Sequence, residues 1–84
     1  MNKELRHFVI DFIDGVECRL METNKTTCYV DCELADILDI DNVNDIDNDI
    51  LNDVMSQIVD GLRRIENIDA YISSSNEITA YKID

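Results

Sequence analysis

The segment DCELADILDIDNVNDIDNDILND, from Asp31 to Asp53, concentrates the side chains that could bind a cation or a cationic protein. It holds nine acidic residues in 23 positions and no basic residue, and the first basic residue after Lys25 is Arg63. Carboxylates at this density suit two kinds of chemistry, coordination of a divalent cation and contact with a basic surface. The spacing of the acids distinguishes between the two.

A calcium loop of the EF-hand type needs oxygen ligands at positions 1, 3 and 5, Gly at position 6 and Glu at position 12. A frame that begins at Asp45 places Ile50 at the Gly position and Ser56 at the Glu position. A frame that begins at Asp39 places Val43 at the third ligand position and Ile50 at the Glu position. The sequence therefore predicts no metal site and no cofactor, and weak binding of a divalent cation stays open as a lesser alternative.

The sequence lacks the catalytic motifs of the common enzyme classes. His7 is the single histidine and lies far along the chain from any candidate nucleophile. The serines of Ser73–Ser75 occur without a GxSxG motif. Gly15 and Gly61 are the only glycines, so there is no Gly-rich phosphate loop. We predict a protein that is not an enzyme and has no catalytic residues.

Length and composition narrow the classes of function further. A chain of 84 residues predicts one domain, residues 1–84, with little room for a deep cleft. A net charge of −12 disfavours binding to nucleic acid and to anionic membranes, and it favours a basic protein partner. Three cysteines without a CxxC pair, and a beginning unlike a signal peptide, predict a cytoplasmic protein.

The N-terminal third of the chain has apolar residues in alternation, which predicts strands. In FVIDFIDGVECRL the dipeptide Asp14-Gly15 supplies a turn. A three-residue loop, Ile13–Gly15, pairs Phe12 with Val16 and leaves Val9 on the outer face. The residues that this register places on the core face are Phe8, Ile10, Phe12, Val16, Cys18 and Leu20.

Two helices are predicted within and after the acidic segment. The first is short, from about Glu33 to Leu38, with Asp31 as its N-cap. The second runs from about Asn48 to Glu66, with Asp47 as its N-cap, because apolar residues recur along it at helical spacing. The linker DIDNVN between them is too rich in Asp and Asn to be predicted as helix.

The remaining segments predict a third strand, TTCYVD, and a C-terminal hairpin. The hairpin loop is Ser74–Asn76, and its last residue tolerates positive φ. This register pairs Ile72 with Ile78 and Ala70 with Ala80. The predicted fold is α+β: an antiparallel five-stranded sheet in the order βββ-α-ββ, with one long helix packed on one face and a short helix before it.

Negative charge is confined to one region of the chain. Residues Asp31 to Asp60 include ten acids and no basic residue, a charge of −10, whereas the rest has nine acids and seven basic residues, a charge of −2. Asp49 and Asp53 are four residues apart, a like-charge spacing that costs a helix about 0.2–0.5 kcal/mol. Helix-dipole complementarity and simple solvation are the alternatives to a binding role. The acids predicted to contact a partner are Asp36, Asp39, Asp41, Asp45, Asp49 and Asp53.

The small size, the net charge and the acidic segment resemble a class of phage-encoded DNA mimics that includes anti-CRISPR proteins and uracil-DNA glycosylase inhibitor. The resemblance implies that Asp and Glu side chains stand in for phosphates and block a nucleic-acid-binding groove. It also implies a location in the cytoplasm of an infected or host bacterial cell. We expect an inhibitor of a basic nucleic-acid-binding protein, such as a CRISPR effector or another defence nuclease.

The predicted outer face of the sheet offers an alternative interface. Tyr29, Tyr71 and Tyr81 all point away from the helix in the predicted registers. An exposed aromatic sheet face often marks a contact with a partner or a second copy. The alternative hypothesis is a non-enzymatic interaction module, either a homodimeric regulator or an antitoxin-like protein.

Overall fold

The computed structural model describes residues 2–83, which form three helices, a 3₁₀ turn and three strands. In chain order these are α1 (Lys3–Leu20), β1 (Lys25–Tyr29), α2 (Asp31–Leu38), the 3₁₀ turn (Val43–Asp45), α3 (Asn48–Arg63), β2 (Ile68–Ser74) and β3 (Glu77–Lys82). The sheet is antiparallel, with β3 in the centre and β1 and β2 at its edges. The α+β class was predicted correctly, but the five-stranded βββ-α-ββ arrangement is wrong.

The N-terminal segment is the helix α1 in place of the first two predicted strands. Asn2 caps the helix, because its Oδ1 accepts a hydrogen bond from the backbone N of Leu5 at 2.9 Å. Glu4 in the first turn and Arg19 in the last turn complement the helix dipole. Gly15 does not adopt positive φ, so the left-handed turn required by the predicted hairpin is absent. The buried residues recur at helical spacing and are Leu5, Phe8, Val9, Phe12, Val16 and Leu20.

Substitution of two neighbouring residues distinguishes experimentally between the helix and the predicted hairpin. In α1 the side chain of Val9 is 7% exposed and that of Ile10 is 59% exposed, the reverse of the hairpin arrangement. We expect Val9→Ala to lower the free energy of unfolding by about 2 kcal/mol and Ile10→Ala by less than about 0.5 kcal/mol. Urea unfolding followed by circular dichroism measures both values. A larger loss in Ile10→Ala would contradict the helix.

The long helix was predicted correctly, with a small difference at its end. Asp47 is the N-cap of α3, and its Oδ1 accepts a hydrogen bond from the backbone N of Asp49 at 2.8 Å. The helix ends at Arg63, earlier than the predicted end at Glu66. The side chains that α3 buries are Leu51, Val54, Met55, Ile58, Val59 and Leu62.

The predicted pairing of the C-terminal hairpin is confirmed. Ala70 pairs with Ala80 and Ile72 pairs with Ile78 in the β2–β3 ladder. Both alanines are buried and lie on the sheet face that α3 covers. Small side chains at these positions allow the helix and the sheet to approach closely, as the sequence predicted.

The hairpin turn itself differs from the prediction. Ser74 belongs to β2 and pairs with Glu77, so the turn is shorter than the predicted three-residue loop. The predicted positive φ at Asn76 is wrong. Within residues 2–83, the non-glycine residues with positive φ are Asp39 and Asn67.

The core lies between the sheet and the helices α1 and α3. The predicted third strand exists as β1, and its Cys28 points into the core, followed by the buried Val30. The buried apolar residues form one cluster, which α2 joins through Leu34 and Ala35. No helix in the described part of the chain is long and apolar enough to cross a membrane.

Candidate functional site

The acids predicted to contact a partner lie on α2, on the segment that follows it and on the first half of α3. We call them the acidic surface, and its residues are Asp36, Asp39, Asp41, Asp45, Asp49 and Asp53. All six side chains are exposed. None of them is in an ion pair, because the single ion pair within residues 2–83 joins Arg63 to Asp69. The acidic surface therefore carries carboxylates that no basic side chain in this range neutralises.

Packed backbone holds the middle of the acidic surface in place. Helix α2 ends at Leu38, and the C-cap residue Asp39 has a φ of 56°, in the left-handed region that Asp tolerates better than most residues. The backbone N of Ile40 then donates to the carbonyl of Ala35 at 2.9 Å. Ile40 packs against the core and Ile46 is buried in it, while the acids between them face solvent. The linker contains no α-helix, as predicted, although Val43–Asp45 forms a 3₁₀ turn, and these two isoleucines attach the segment to the core.

The α3 part of the acidic surface lies at the start of the helix. Asp49 is in the first turn, where a negative charge stabilises the helix dipole. Asp53 is one turn further along and receives a long hydrogen bond, 3.5 Å, from Nε2 of Gln57. Side chains at this spacing are about 5–6 Å apart at their Cβ atoms. Helix stability explains the charge of Asp49, but it does not explain that of Asp53.

Asp31 has a structural role that the sequence did not indicate, and the predicted N-cap role is wrong. Val30 occupies the N-cap position of α2, and Asp31 is the first helical residue and is buried. Its Oδ1 accepts a hydrogen bond from the backbone N of Cys32 at 2.9 Å, and its Oδ2 accepts one from Nδ2 of Asn76 at 3.0 Å. The backbone N of Val30 also donates to the carbonyl of Asn76 at 2.9 Å. These contacts tie the start of α2 to the hairpin turn.

The three cysteines lie in different environments. Cys28 is buried, as predicted, but Cys18 is exposed because its segment is helical and not a strand. Cys32 is exposed beside Asp31, whose negative charge is the main cause that raises the pKa of this thiol. Desolvation of the thiol and its hydrogen bond to the Asp31 carboxylate raise the pKa further. A raised pKa lowers the thiolate fraction, which makes Cys32 a poor nucleophile.

We expect Asp31→Asn to speed the alkylation of Cys32 by iodoacetamide. Removal of the carboxylate charge lowers the pKa of Cys32, so more thiolate is present at mildly alkaline pH. The rate at Cys32 should rise severalfold at pH about 8, and the midpoint of its pH profile should move to lower pH. Mass spectrometry of the alkylated peptides measures the rate, with Cys18 of the same chain as the control. A faster rate with no shift of the midpoint would indicate opening of α2 and not the electrostatic effect.

The tyrosines form a second exposed feature on the sheet face opposite the helices. The strand registers place Tyr29, Tyr71 and Tyr81 on this face. The rings of Tyr71 and Tyr81 meet edge to face with centroids 6.3 Å apart. Tyr81 donates a hydrogen bond to Oδ2 of Asp69 at 3.0 Å, which raises the pKa of Tyr81. Tyr29 stands apart from this pair and is 60% exposed.

Hydrogen-bonded hydroxyl groups occupy the centre of the same sheet face. Thr79 is buried there, and its Oγ1 lies 3.1 Å from Oγ1 of Thr27 and donates to Oγ of Ser73 at 3.0 Å. Ser73 in turn donates to Oε1 of Glu77 at 2.9 Å. The face is therefore polar between the tyrosines and satisfies many of its own hydrogen bonds. It does not have the continuous apolar area that is typical of a homodimer interface.

Metal-binding clusters are not found among residues 2–83, where no three His, Cys, Asp or Glu side chains lie close enough to hold an ion. His7 is exposed on α1.

The chain matches no protein-family model, no curated protein and no solved structure. The charge, exposure and hydrogen bonding of its own residues are therefore the basis for a functional proposal. By these criteria the acidic surface is the strongest candidate site.

Proposed function

We propose that the protein is a non-enzymatic inhibitor that binds a basic nucleic-acid-binding protein through the acidic surface. The supporting observation is that six exposed carboxylates lie on two helices and on the segment between them, which packs against the core through Ile40 and Ile46, and that none of the six is in an ion pair within residues 2–83. Like charges held near one another repel, and a basic partner relieves that repulsion on binding. Because the backbone that carries the acids is already folded, little backbone conformational entropy is lost on association.

The proposed mechanism is competition with nucleic acid. A groove that binds nucleic acid carries Lys and Arg side chains spaced to meet phosphates. Asp49 and Asp53, one helical turn apart, present two carboxylates in a row, and the acids before α3 extend the negative surface. The proposed targets are CRISPR effectors or other defence nucleases, and the proposed place of action is the cytoplasm of a bacterial cell.

Salt dependence of binding tests the proposal. The immobilised protein should retain a basic nucleic-acid-binding protein from a bacterial lysate at about 0.05 M salt and release it at about 0.5 M, where the Debye length falls to a few ångströms. Duplex DNA added at low salt should elute the same protein. A matched column carries a variant with Asn at all six positions of the acidic surface. Equal retention on both columns, or retention that salt does not change, would exclude the mimic mechanism.

The tyrosine face remains the second candidate because Tyr29 is largely exposed and lies away from the Tyr71–Tyr81 pair. In this alternative, Tyr29→Ala weakens binding and the Asn variant of the acidic surface does not. Sedimentation equilibrium of the wild type tests the homodimeric form of the same alternative.

A further inference from the structure

The two edges of the sheet differ in whether their backbone hydrogen-bonding groups are occupied. In an antiparallel pair, alternate residues direct both backbone groups toward the neighbouring strand. The backbone N of Val30 donates to the carbonyl of Asn76 at 2.9 Å, which fixes this alternation along β1. Thr27 and Tyr29 consequently direct their N–H and C=O groups away from β3. These four groups have no hydrogen-bond partner within residues 2–83.

The opposite edge, on β2, is occupied at Ala70, although the outward-facing backbone groups of Ile72 have no hydrogen-bond partner within residues 2–83. The backbone N of Ile83 donates to the carbonyl of Asn67 at 2.8 Å, so Asn67 and every second residue after it face β3. Ala70 therefore directs its backbone N–H and C=O toward the free edge. There the carbonyl of Ala70 accepts from Nε of Arg63 at 2.9 Å, and its N–H donates to Oδ1 of Asp69 at 2.8 Å. A β-bulge near the end of β2 interrupts the same edge. Such features protect an edge from pairing with another strand.

A groove lies beside the open edge of β1, between that strand, α1 and α2. Its volume is about 680 Å³, in the range of sites that bind ligands. Phe8, Phe12 and Val16 line it from α1, and Ile37, which is 42% exposed, lines it from α2. Gly15 also lines the groove, and a Cβ atom placed there would meet no atom within 4 Å. A groove with both apolar and charged lining residues thus runs next to a strand edge with unpaired backbone groups.

The net charge of the chain, and not that of the groove, favours a basic occupant. The lining of the groove is nearly balanced, since it includes Glu4, Asp11 and Glu33 together with the basic residues Lys3 and Arg19. The chain as a whole has a net charge of −12, so a second copy approaching this edge would be repelled. A segment that carries Lys or Arg would be attracted to the same place.

We propose that the open edge of β1 binds an extended segment of another protein, with apolar residues at alternate positions and Lys or Arg between them. Its backbone pairs with Thr27 and Tyr29 as a fourth strand of the sheet, and its apolar side chains enter the groove beside Gly15. This mode is strand addition, in which main-chain hydrogen bonds supply affinity and the groove supplies specificity. It uses a surface other than the acidic surface, so either proposal can fail without the other.

A short synthetic peptide tests this proposal. The probe has eight residues, alternating Val and Lys, and is blocked at both ends. Hydrogen exchange measured by NMR on the full chain should show new protection of the backbone N–H groups of Thr27 and Tyr29, and no change at Ala70. We expect Gly15→Leu to weaken binding at least about tenfold because leucine fills the groove. Ser56→Leu, which places the same side chain on the exposed side of α3, is the control and should bind as the wild type does.

Two further measurements show whether a loss of binding in Gly15→Leu comes from the filled groove or from unfolding of that variant. Leucine has a higher helix propensity than glycine, so Gly15→Leu should unfold at the same temperature as the wild type or higher. A second peptide, N-methylated at every other residue so that it cannot pair with β1, should lose binding to the wild-type chain. Equal binding of both peptides, protection at Ala70 in place of Thr27, absence of binding, or dimerisation through β1 would each overturn the proposal.

Discussion

Replacement of Asp45, Asp49 and Asp53 by Lys is expected to weaken binding to the proposed basic partner at least about a hundredfold, which is about 2.7 kcal/mol. Each substitution removes an attractive contact and adds a repulsive one. The fold should remain, because all three side chains are exposed and none is in an ion pair within the described residues 2–83. A positive charge at position 49 opposes the dipole of α3, and the repulsion between positions 49 and 53 remains because both carry Lys, so the variant should lose about 1 kcal/mol of stability without unfolding.

A second triple variant controls for net charge. Lys at Asp14, Glu22 and Glu66 changes the total charge by the same amount at exposed positions outside the acidic surface. If the position of the acids matters, this control weakens binding by only a few fold through the long-range field. Equal losses in the two variants would show that net charge alone attracts the partner. Titration calorimetry at two salt concentrations measures both, and circular dichroism checks that both are folded.

Local patterns in the sequence predicted the second half of the fold. The N-cap at Asp47 and the apolar spacing after it determine where α3 begins and which face it buries. The register of the β2–β3 hairpin followed from a short polar turn between two runs of alternating residues, and it pairs Ala70 with Ala80 as expected. In both cases the signals and the structure they produce lie within about twenty residues of each other.

The first half was predicted wrongly because its apolar residues are too dense to define one period. Phe8, Ile10 and Phe12 alternate as in a strand, whereas Phe8, Phe12 and Val16 follow the helical spacing. The helix forms because Asn2 caps it and because its buried residues make one continuous stripe from Leu5 to Leu20. Gly15 suggested a turn, but in the structure it is an exposed helical residue beside the groove.

The candidate sites depend on contacts that a linear pattern cannot reveal. The acidic segment and its exposure were predictable from composition, and so was the non-helical linker. The role of Asp31 was not, because its partner Asn76 is 45 residues away. The open edge of β1 depends on the strand order, since only the pairing with β3 shows which groups of Thr27 and Tyr29 stay unpaired.

Truncation of Ile58 is expected to have the largest effect on stability. This residue is 0% exposed, within the stripe that α3 buries against the sheet and α1. Loss of its side chain removes buried apolar area and leaves a cavity, so Ile58→Ala should lower the free energy of unfolding by about 3–4 kcal/mol. That is a large share of the roughly 4–12 kcal/mol expected for a domain of this length. Urea unfolding with an unchanged m value measures the loss.

Ile50 provides the matched control, because the same substitution on the same helix removes a side chain that is 37% exposed. Ile50→Ala should cost less than about 1 kcal/mol. Ile50 also lies between Asp49 and Asp53 in the sequence, whereas Ile58 is beyond them. Both variants should bind the basic partner with the wild-type dissociation constant wherever they remain folded, because neither changes a charge. Loss of binding in folded Ile58→Ala would mean that core packing, and not only the row of carboxylates, determines the shape that the partner recognises.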